Sequence, residues 1–199
     1  MKRKVPNWLM HHGVEGQKWG VRHGPPYPIG SSTRKVFISG TSKLKNKDSF
    51  AYRKNLPKEI SKKVDQYIKE NAHILIGDAP GIDTEVQKYL AKKGHKNVTV
   101  YTIEKEPRFM ASKNLGWGIK RIEAPSKQTV TDGYNPAQVL KDKAMSKDAH
   151  VGLAITIQDG ASATRNNIKR MRQTGKIVDE FQLNFDGSEN WVETKRRSD

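Results

Sequence analysis

The chain of 199 residues contains no cysteine. Disulfide bonds, thiol catalysis and cysteine-ligated metal sites are therefore excluded. No apolar run approaches the ~20 residues that a membrane-spanning helix needs. The basic start Lys2-Arg3-Lys4 is also not followed by the apolar core of a signal peptide. We therefore expect an intracellular protein that makes no contact with a membrane.

Acidic residues are few compared with basic ones. Aspartate and glutamate total 21, lysine and arginine total 37, and the net charge is +16. This excess favours contact with a polyanion such as nucleic acid or a phosphorylated ligand. A solvated basic surface explains it equally well, because the lysines are scattered along the chain. Apolar residues make up only 34%, which indicates one globular core with polar ends.

Three segments differ in composition and periodicity. Residues 1–33 are rich in Gly, Pro, His and Trp without a regular period, and are interpreted as a basic N-terminal tail. Residues 34–185 alternate strand and helix patterns, and residues 186–199 are interpreted as a polar C-terminal tail. The alternation predicts an α/β domain with a single Rossmann-like, doubly wound and mainly parallel sheet.

The strand and helix patterns of the central segment have clear limits. Strands are predicted at 35–39, 73–76, 97–103, 152–157 and 176–183, and helices at 57–70, 84–93, 135–148 and 164–173. Residues 104–125 interrupt the alternation and are predicted to form a functional loop or an edge hairpin.

Three loops of phosphate-binding composition follow three of the predicted strands. Such loops meet at the carboxyl edge of a parallel sheet, where doubly wound folds bind ligands. Turn and capping functions explain one such loop, but three together favour a nucleotide-like ligand. The candidate ligand-binding residues are Ser39, Gly40, Thr41, Ser42, Gly77, Asp78, Ala79, Pro80, Gly81, Asp83, Asp159, Gly160, Ser162, Thr164, Arg165 and Asn167.

The side chains of these loops suit parts of a nucleotide. Hydroxyl groups and Arg165 can donate to phosphate, and Asp78 and Asp83 can accept from ribose hydroxyls. Trp117, among basic residues, is a candidate for base stacking, although such a tryptophan more often packs a loop onto its domain. No cofactor is predicted. No metal site is predicted either, because acidic partners are lacking near the N-terminal histidines His11, His12 and His23.

An ordered series of motifs spans residues 36–178. They are Phe37–Thr41, Gly77–Asp83, Asn97–Tyr101, Ala144–Ala149, Gly152–Ile155, Asp159-Gly160 and Thr164–Lys169. The series resembles the SLOG superfamily, the Rossmann-like group that includes DNA-processing protein A and the Lonely Guy phosphoribohydrolases. The resemblance implies a pocket for a nucleotide or nucleotide derivative, formed by the three loops. A neighbouring subunit often completes pockets of such folds, so a homo-oligomer is expected.

One position departs from the hydrolases of this superfamily. The Lonely Guy-like enzymes carry Pro-Gly-Gly-x-Gly-Thr-x-x-Glu, whose glutamate helps to break the N-glycosidic bond. Asn167 stands at the position of that glutamate, and an amide cannot accept a proton as a carboxylate does. Binding without turnover is therefore favoured. If the protein is an enzyme, Asp78 or Asp83 is the candidate catalytic carboxylate.

The N-terminal tail carries a second motif. Gly13, Gly16, Lys18, Trp19, Gly20 and Arg22 match Gly-x-x-Gly-x-Lys-Trp-Gly-x-Arg. This resembles a short element of phage and prophage proteins. The resemblance implies a protein of the bacterial host cytoplasm or of the virion, docked onto a phage structural protein through Lys18, Trp19 and Arg22. A processing segment and a leader without function are the alternatives.

Three functions remain open at this point. The first is a binding protein that senses or sequesters a signalling nucleotide, such as an ADP-ribose derivative, in phage counter-defence. The second is an enzyme that cleaves the N-glycosidic bond of a nucleotide. The third is a DNA- or RNA-binding protein driven by charge, whose affinity would fall steeply with salt.

Overall fold

The computed structural model describes residues 33–41, 56–123, 136–157, 162–185 and 191–197. The tail residues Lys18, Trp19, Arg22, His11, His12 and His23 and the loop residues Ser42, Asp159 and Gly160 lie outside this part of the chain. The elements are β1 (Lys35–Gly40), α1 (Lys58–Lys69), β2 (His73–Gly77), α2 (Ile82–Lys92), β3 (Val98–Thr102), β4 (Gly118–Arg121), α3 (Pro136–Asp148), β5 (Val151–Ile157), α4 (Ser162–Gln173), β6 (Val178–Phe185) and β7 (Trp191–Arg197).

These strands form one sheet in the order β4-β3-β2-β1-β5-β6-β7. The first six run parallel, and β7 pairs antiparallel with β6. The prediction of a Rossmann-like, mainly parallel α/β sheet is therefore confirmed. None of the helices in the described ranges has the length and apolar character needed to cross a membrane.

Helices cover both faces of the sheet, as the doubly wound prediction requires. On β1, Val36 and Ile38 belong to one core with residues of α1 and α2. Phe37, between them, belongs to a second core with Met145 of α3 and Ile168 of α4. A strand covered on both faces has no polar side, which is why β1, β2 and β5 read as continuous apolar runs.

Both edges of the sheet differ from the sequence-based expectations. Within residues 104–125, the structure has a parallel strand, β4, whose four residues are all exposed, rather than a hairpin. In the C-terminal segment, interpreted as a polar tail, β7 forms the other edge. An edge strand pairs on one side only and needs no apolar run, so sequence patterns indicate it weakly.

The site is positioned by the reversal of strand order at β1. From β1 the chain continues through α1 to β2 on one side, and β5 is added on the other side. Connections leaving β1 and β5 therefore diverge and leave a crevice at the carboxyl end of the sheet.

Candidate functional site

A cleft of about 540 Å³ opens at this carboxyl end. This volume is within the range of small-molecule sites. Residues predicted from all three loops line it: Ser39, Gly40, Gly77, Ala79, Pro80, Asp83, Ser162, Thr164 and Asn167. The sheet thus brings residues that are distant in the sequence into one cleft. Ser39 and Asn167, for example, are more than 120 positions apart and form a direct hydrogen bond.

Four of the predicted residues in the described ranges do not line the cleft: Thr41, Asp78, Gly81 and Arg165. Thr41 is 2% exposed, and its main chain bonds to Ile155 and Ile82. Gly81 precedes α2 with a φ of 99°, a conformation that favours glycine. Arg165 donates to the Ile157 carbonyl at 3.1 Å and lines a separate surface depression. Thr41 and Arg165 are therefore not among the residues that line this cleft, and the ligand contacts expected of them stay predictions.

Trp117, the candidate for base stacking, is a core residue in the structure. Its side chain is 6% exposed within the core, and its indole N–H donates to the His95 carbonyl at 2.8 Å. Trp117 immediately precedes β4, which runs parallel to β3, so the ring lies at the amino end of the sheet. The residue fills the core at the end opposite the cleft, so its position does not support the stacking prediction.

The two loop glycines make room for α2. A Cβ at Gly40 would collide with the side chain of Ile82. At Gly77 a Cβ would collide with the Asp83 carboxylate and lie 3.3 Å from the Lys141 amine. The absence of a side chain at these two glycines therefore allows the start of α2 to pack directly against the ends of β1 and β2.

Asp78 is a buried structural anion. One carboxylate oxygen accepts from the Lys141 amine and the Arg108 guanidinium, each at 2.8 Å. The other accepts from the Thr102 hydroxyl at 2.9 Å and the Arg108 main chain at 3.2 Å. Burial raises the pKa of Asp78, but the bonds to Arg108 and Lys141 outweigh it, so its pKa is below the ordinary 3.8. Asp78 has no exposed surface and is not among the residues that line the cleft, so its position does not support the predicted ligand contact or catalytic role.

Asp83 lies in a different environment only five residues later. It lines the cleft, is 9% exposed, and accepts one long hydrogen bond, from the Ala79 amide at 3.4 Å. Burial raises its pKa to about 7, and the charge of Lys141 lowers the pKa less than burial raises it. A carboxyl group with this pKa exchanges protons at neutral pH and is suited to general acid or base chemistry.

Asn167 links the walls of the cleft through its amide. Its NH₂ group donates to the Ser39 hydroxyl at 3.0 Å and to the Asp142 carboxylate at 3.1 Å. Its carbonyl accepts from the Arg170 guanidinium at 2.5 Å. Burial raises the pKa of Asp142, while the bond from Asn167 lowers it less. A glutamate at position 167 could not donate to Asp142, so the amide is required by this arrangement.

Among the cleft residues missed by the sequence analysis, four are charged: Arg108, Lys141, Asp142 and Arg170. Arg108 lies in the segment without periodicity, and α3 was interpreted only as a connecting helix. One signal was present in the sequence: Lys141 stands four residues before Met145, on the face of α3 that packs against the sheet, and both are buried. A lysine at a core-facing helix position requires a buried anion.

Scans of the sequence against protein-family models and against curated proteins return no match. The described ranges contain no cluster of three or more His, Asp or Glu residues that could hold a metal ion. The chemistry of the cleft therefore has to be inferred from its own residues.

Proposed function

We propose that the protein binds a nucleotide or nucleotide derivative in the cleft at the carboxyl end of the sheet. The observation that carries the proposal is the convergence of residues from the ends of β1 and β2 and from the start of α4 on one cleft at the strand-order reversal. Ligands of doubly wound folds bind at this position.

The charge distribution favours a ligand with a phosphate group. Arg108 and Arg170 both line the cleft. They come from segments on opposite sides of β1, since Arg108 follows β3 and Arg170 lies on α4. The first turn of α4 holds no acidic residue, so its amide groups and partial positive charge favour an anion.

Apolar side chains complete the lining. Phe37, Pro80, Val139 and Met145 contribute to the cleft beside the charged groups. A site of this mixed composition suits a molecule that has a flat apolar part and a charged part. A nucleotide has both, in its base and its phosphate.

Binding without turnover is the preferred form of this function. The Asn167 amide is engaged with Ser39, Asp142 and Arg170 and has no acid–base chemistry. A protein that holds a signalling nucleotide, such as an ADP-ribose derivative, without destroying it would act as a sensor or a sequestering agent. In a phage this activity would serve counter-defence.

Calorimetric titration with AMP, ADP and ADP-ribose tests the proposal. We expect at least one to bind, and Arg170→Gln to weaken its binding about tenfold through the loss of a charge-assisted contact. Arg165→Gln is the matched control, because it removes the same charge from the same helix outside the cleft. The proposal fails if none of the three ligands binds, or if both substitutions weaken binding equally.

Asp83 supports a second candidate function, cleavage of an N-glycosidic bond. Its carboxyl group has a pKa of about 7 and faces the cleft. In this reaction the Asp83 acid would protonate the leaving base as its bond to ribose C1′ breaks. Water would then add to C1′ and return one proton to the Asp83 carboxylate, which leaves a hydroxyl group on C1′. Chromatography of nucleoside monophosphates incubated with the protein would show free base, and none with Asp83→Asn. Absence of free base from every substrate rejects this function and leaves the binding proposal standing.

A further inference from the structure

We propose that Asp83 and Asp142 together bind the vicinal hydroxyl groups of a ribose, so that the cleft selects ribonucleotides over deoxyribonucleotides. This inference rests on the proposed binding function and specifies which part of the ligand two cleft residues recognise. It assigns a role to Asp142 of α3, which the sequence analysis did not consider.

Both carboxyl groups have unused acceptor capacity. A carboxylate has two oxygen atoms and accepts up to about four hydrogen bonds. Asp83 accepts one, at 3.4 Å, although only 9% of it is exposed. The side chain of Asp142 accepts one, from Asn167. Neither forms an ion pair within the described ranges, in contrast to Asp78, which has two.

The unused capacity is unfavourable in the absence of a ligand. Burial is the largest influence on the pKa of both carboxyl groups and raises both, and the charge of Asp142 raises the pKa of Asp83 further. Both groups line the same cleft, where their like charges oppose each other. A ligand that supplies hydrogen-bond donors would relieve both the desolvation and the repulsion.

The charges around Asp83 and Asp142 determine which kind of hydrogen-bond donor can bind to these carboxyl groups. Lys141 and Arg170 act on Asp142, and Lys141 also acts on Asp83, so a metal cation would be repelled by basic side chains. A phosphate would be repelled by the carboxylates themselves. Neutral hydroxyl groups avoid both penalties, and a vicinal diol offers two donors at the spacing of adjacent carbon atoms. Ribose is the part of a nucleotide with this chemistry.

The test compares AMP with 2′-deoxy-AMP and 3′-deoxy-AMP by calorimetry on the full chain. We expect the wild-type protein to bind AMP roughly ten times or more tightly than at least one deoxy analogue, because a site that bonds a hydroxyl rejects the analogue that lacks it. This comparison needs no variant. Equal affinity for all three ligands overturns the inference and leaves the proposed function intact.

Asp142→Asn tests the role of the second carboxyl group. We expect this variant to bind AMP about tenfold more weakly and to bind the discriminated deoxy analogue within about twofold of wild type. Asp65→Asn is the control, since it makes the same change in an exposed ion pair of α1. Equal weakening for AMP and the analogue indicates a structural role for Asp142 and contradicts the inference. If AMP does not bind at all the inference is overturned, and the ADP-ribose titration decides whether the proposed function fails with it.

Discussion

The two ends of the sheet both bury polar groups, but they satisfy them differently. At the amino end, the Trp117 indole donates to the His95 carbonyl, and the His95 ring bonds to the Ala72 carbonyl at 2.9 Å. His150 accepts from the Lys35 amide at 3.1 Å. At the carboxyl end, the carboxyl groups of Asp83 and Asp142 each accept a single hydrogen bond, from the Ala79 main-chain amide and the Asn167 side chain respectively.

The difference separates buried polar groups that are bonded within the fold from those that can still accept hydrogen bonds. A buried polar group that is bonded within the protein stabilises the fold, whereas one left partly unbonded costs stability and persists where a ligand completes it. Asp78 shows that the distinction applies to single residues, since it lies at the carboxyl end and yet is fully bonded to Lys141, Arg108 and Thr102.

The largest expected loss of stability comes from a substitution at the amino end of the sheet. Trp117→Ala removes a buried ring and leaves the His95 carbonyl without its donor. The free energy of unfolding, measured in urea, should fall by about 3–5 kcal/mol because of the cavity and by roughly 1 kcal/mol more because of the lost hydrogen bond. Ligand affinity of the folded variant should stay within about twofold of wild type. A folded variant that has lost ligand binding would contradict the separation of the two ends.

Asp78→Asn should destabilise the protein by about 3–5 kcal/mol, because it leaves the Lys141 charge, 3% exposed, without its counter-ion. Since the pKa of Asp78 is lowered by folding, its contribution is present above pH 3.8 and is lost as the pH falls further. Denaturant unfolding at pH 7 measures the effect. Asp65→Asn, in an exposed pair with Lys93, should cost less than about 1 kcal/mol.

Asp83→Asn should raise the free energy of unfolding at pH 8, whereas Trp117→Ala and Asp78→Asn should lower it. The pKa of Asp83 rises from 3.8 to about 7 on folding, so the folded protein retains a proton that the unfolded chain releases, and this group costs stability as the pH rises through that range. The variant should be more stable than wild type by up to about 4 kcal/mol at pH 8 and by less than about 2 kcal/mol at pH 5, because the difference shrinks as the pH falls toward 3.8. Thermal unfolding at both pH values provides the measurement. A variant less stable than wild type at pH 8 would show that the carboxylate is structurally required.

His150→Ala should give the smallest effect. Its ring nitrogen accepts from the Lys35 amide, and the variant should lose about 1 kcal/mol at pH 7.5. Burial lowers the pKa of His150 below 6.5, so wild type loses this contribution as the pH falls below 6.5, and the difference between the proteins should shrink at acid pH. The pH dependence is therefore opposite to that of Asp83. A difference that grows on acidification would contradict this assignment.

Local patterns predicted a large part of the fold. The apolar runs of β1, β2 and β5 and the amphipathic α1 and α2 identified a parallel sheet with helices on both faces, because central strands and packed helices have strong periodicities. β4 and β7 were not predicted, since their place in the sheet depends on main-chain pairing with a neighbour, and such pairing leaves little trace in composition.

The candidate site was predicted less completely. Loops that follow strands identified Ser39, Gly77 and Asp83 as cleft residues, because parallel strands place such loops at one edge. The contribution of α3 was missed, as Asp142 lies in the middle of a helix where no loop motif marks it.

The alternation of strands and helices, the net charge and the loops at the carboxyl edge of the sheet follow from residue types and their spacing, which act locally along the chain. The roles of Asp78 and Asp83 do not. Both are aspartates in one loop, and their pKa values diverge because Arg108 and Lys141 reach one carboxylate while the other faces the cleft with a single long hydrogen bond. Electrostatic environment depends on distances between residues remote in sequence, and these exist only once the chain has folded.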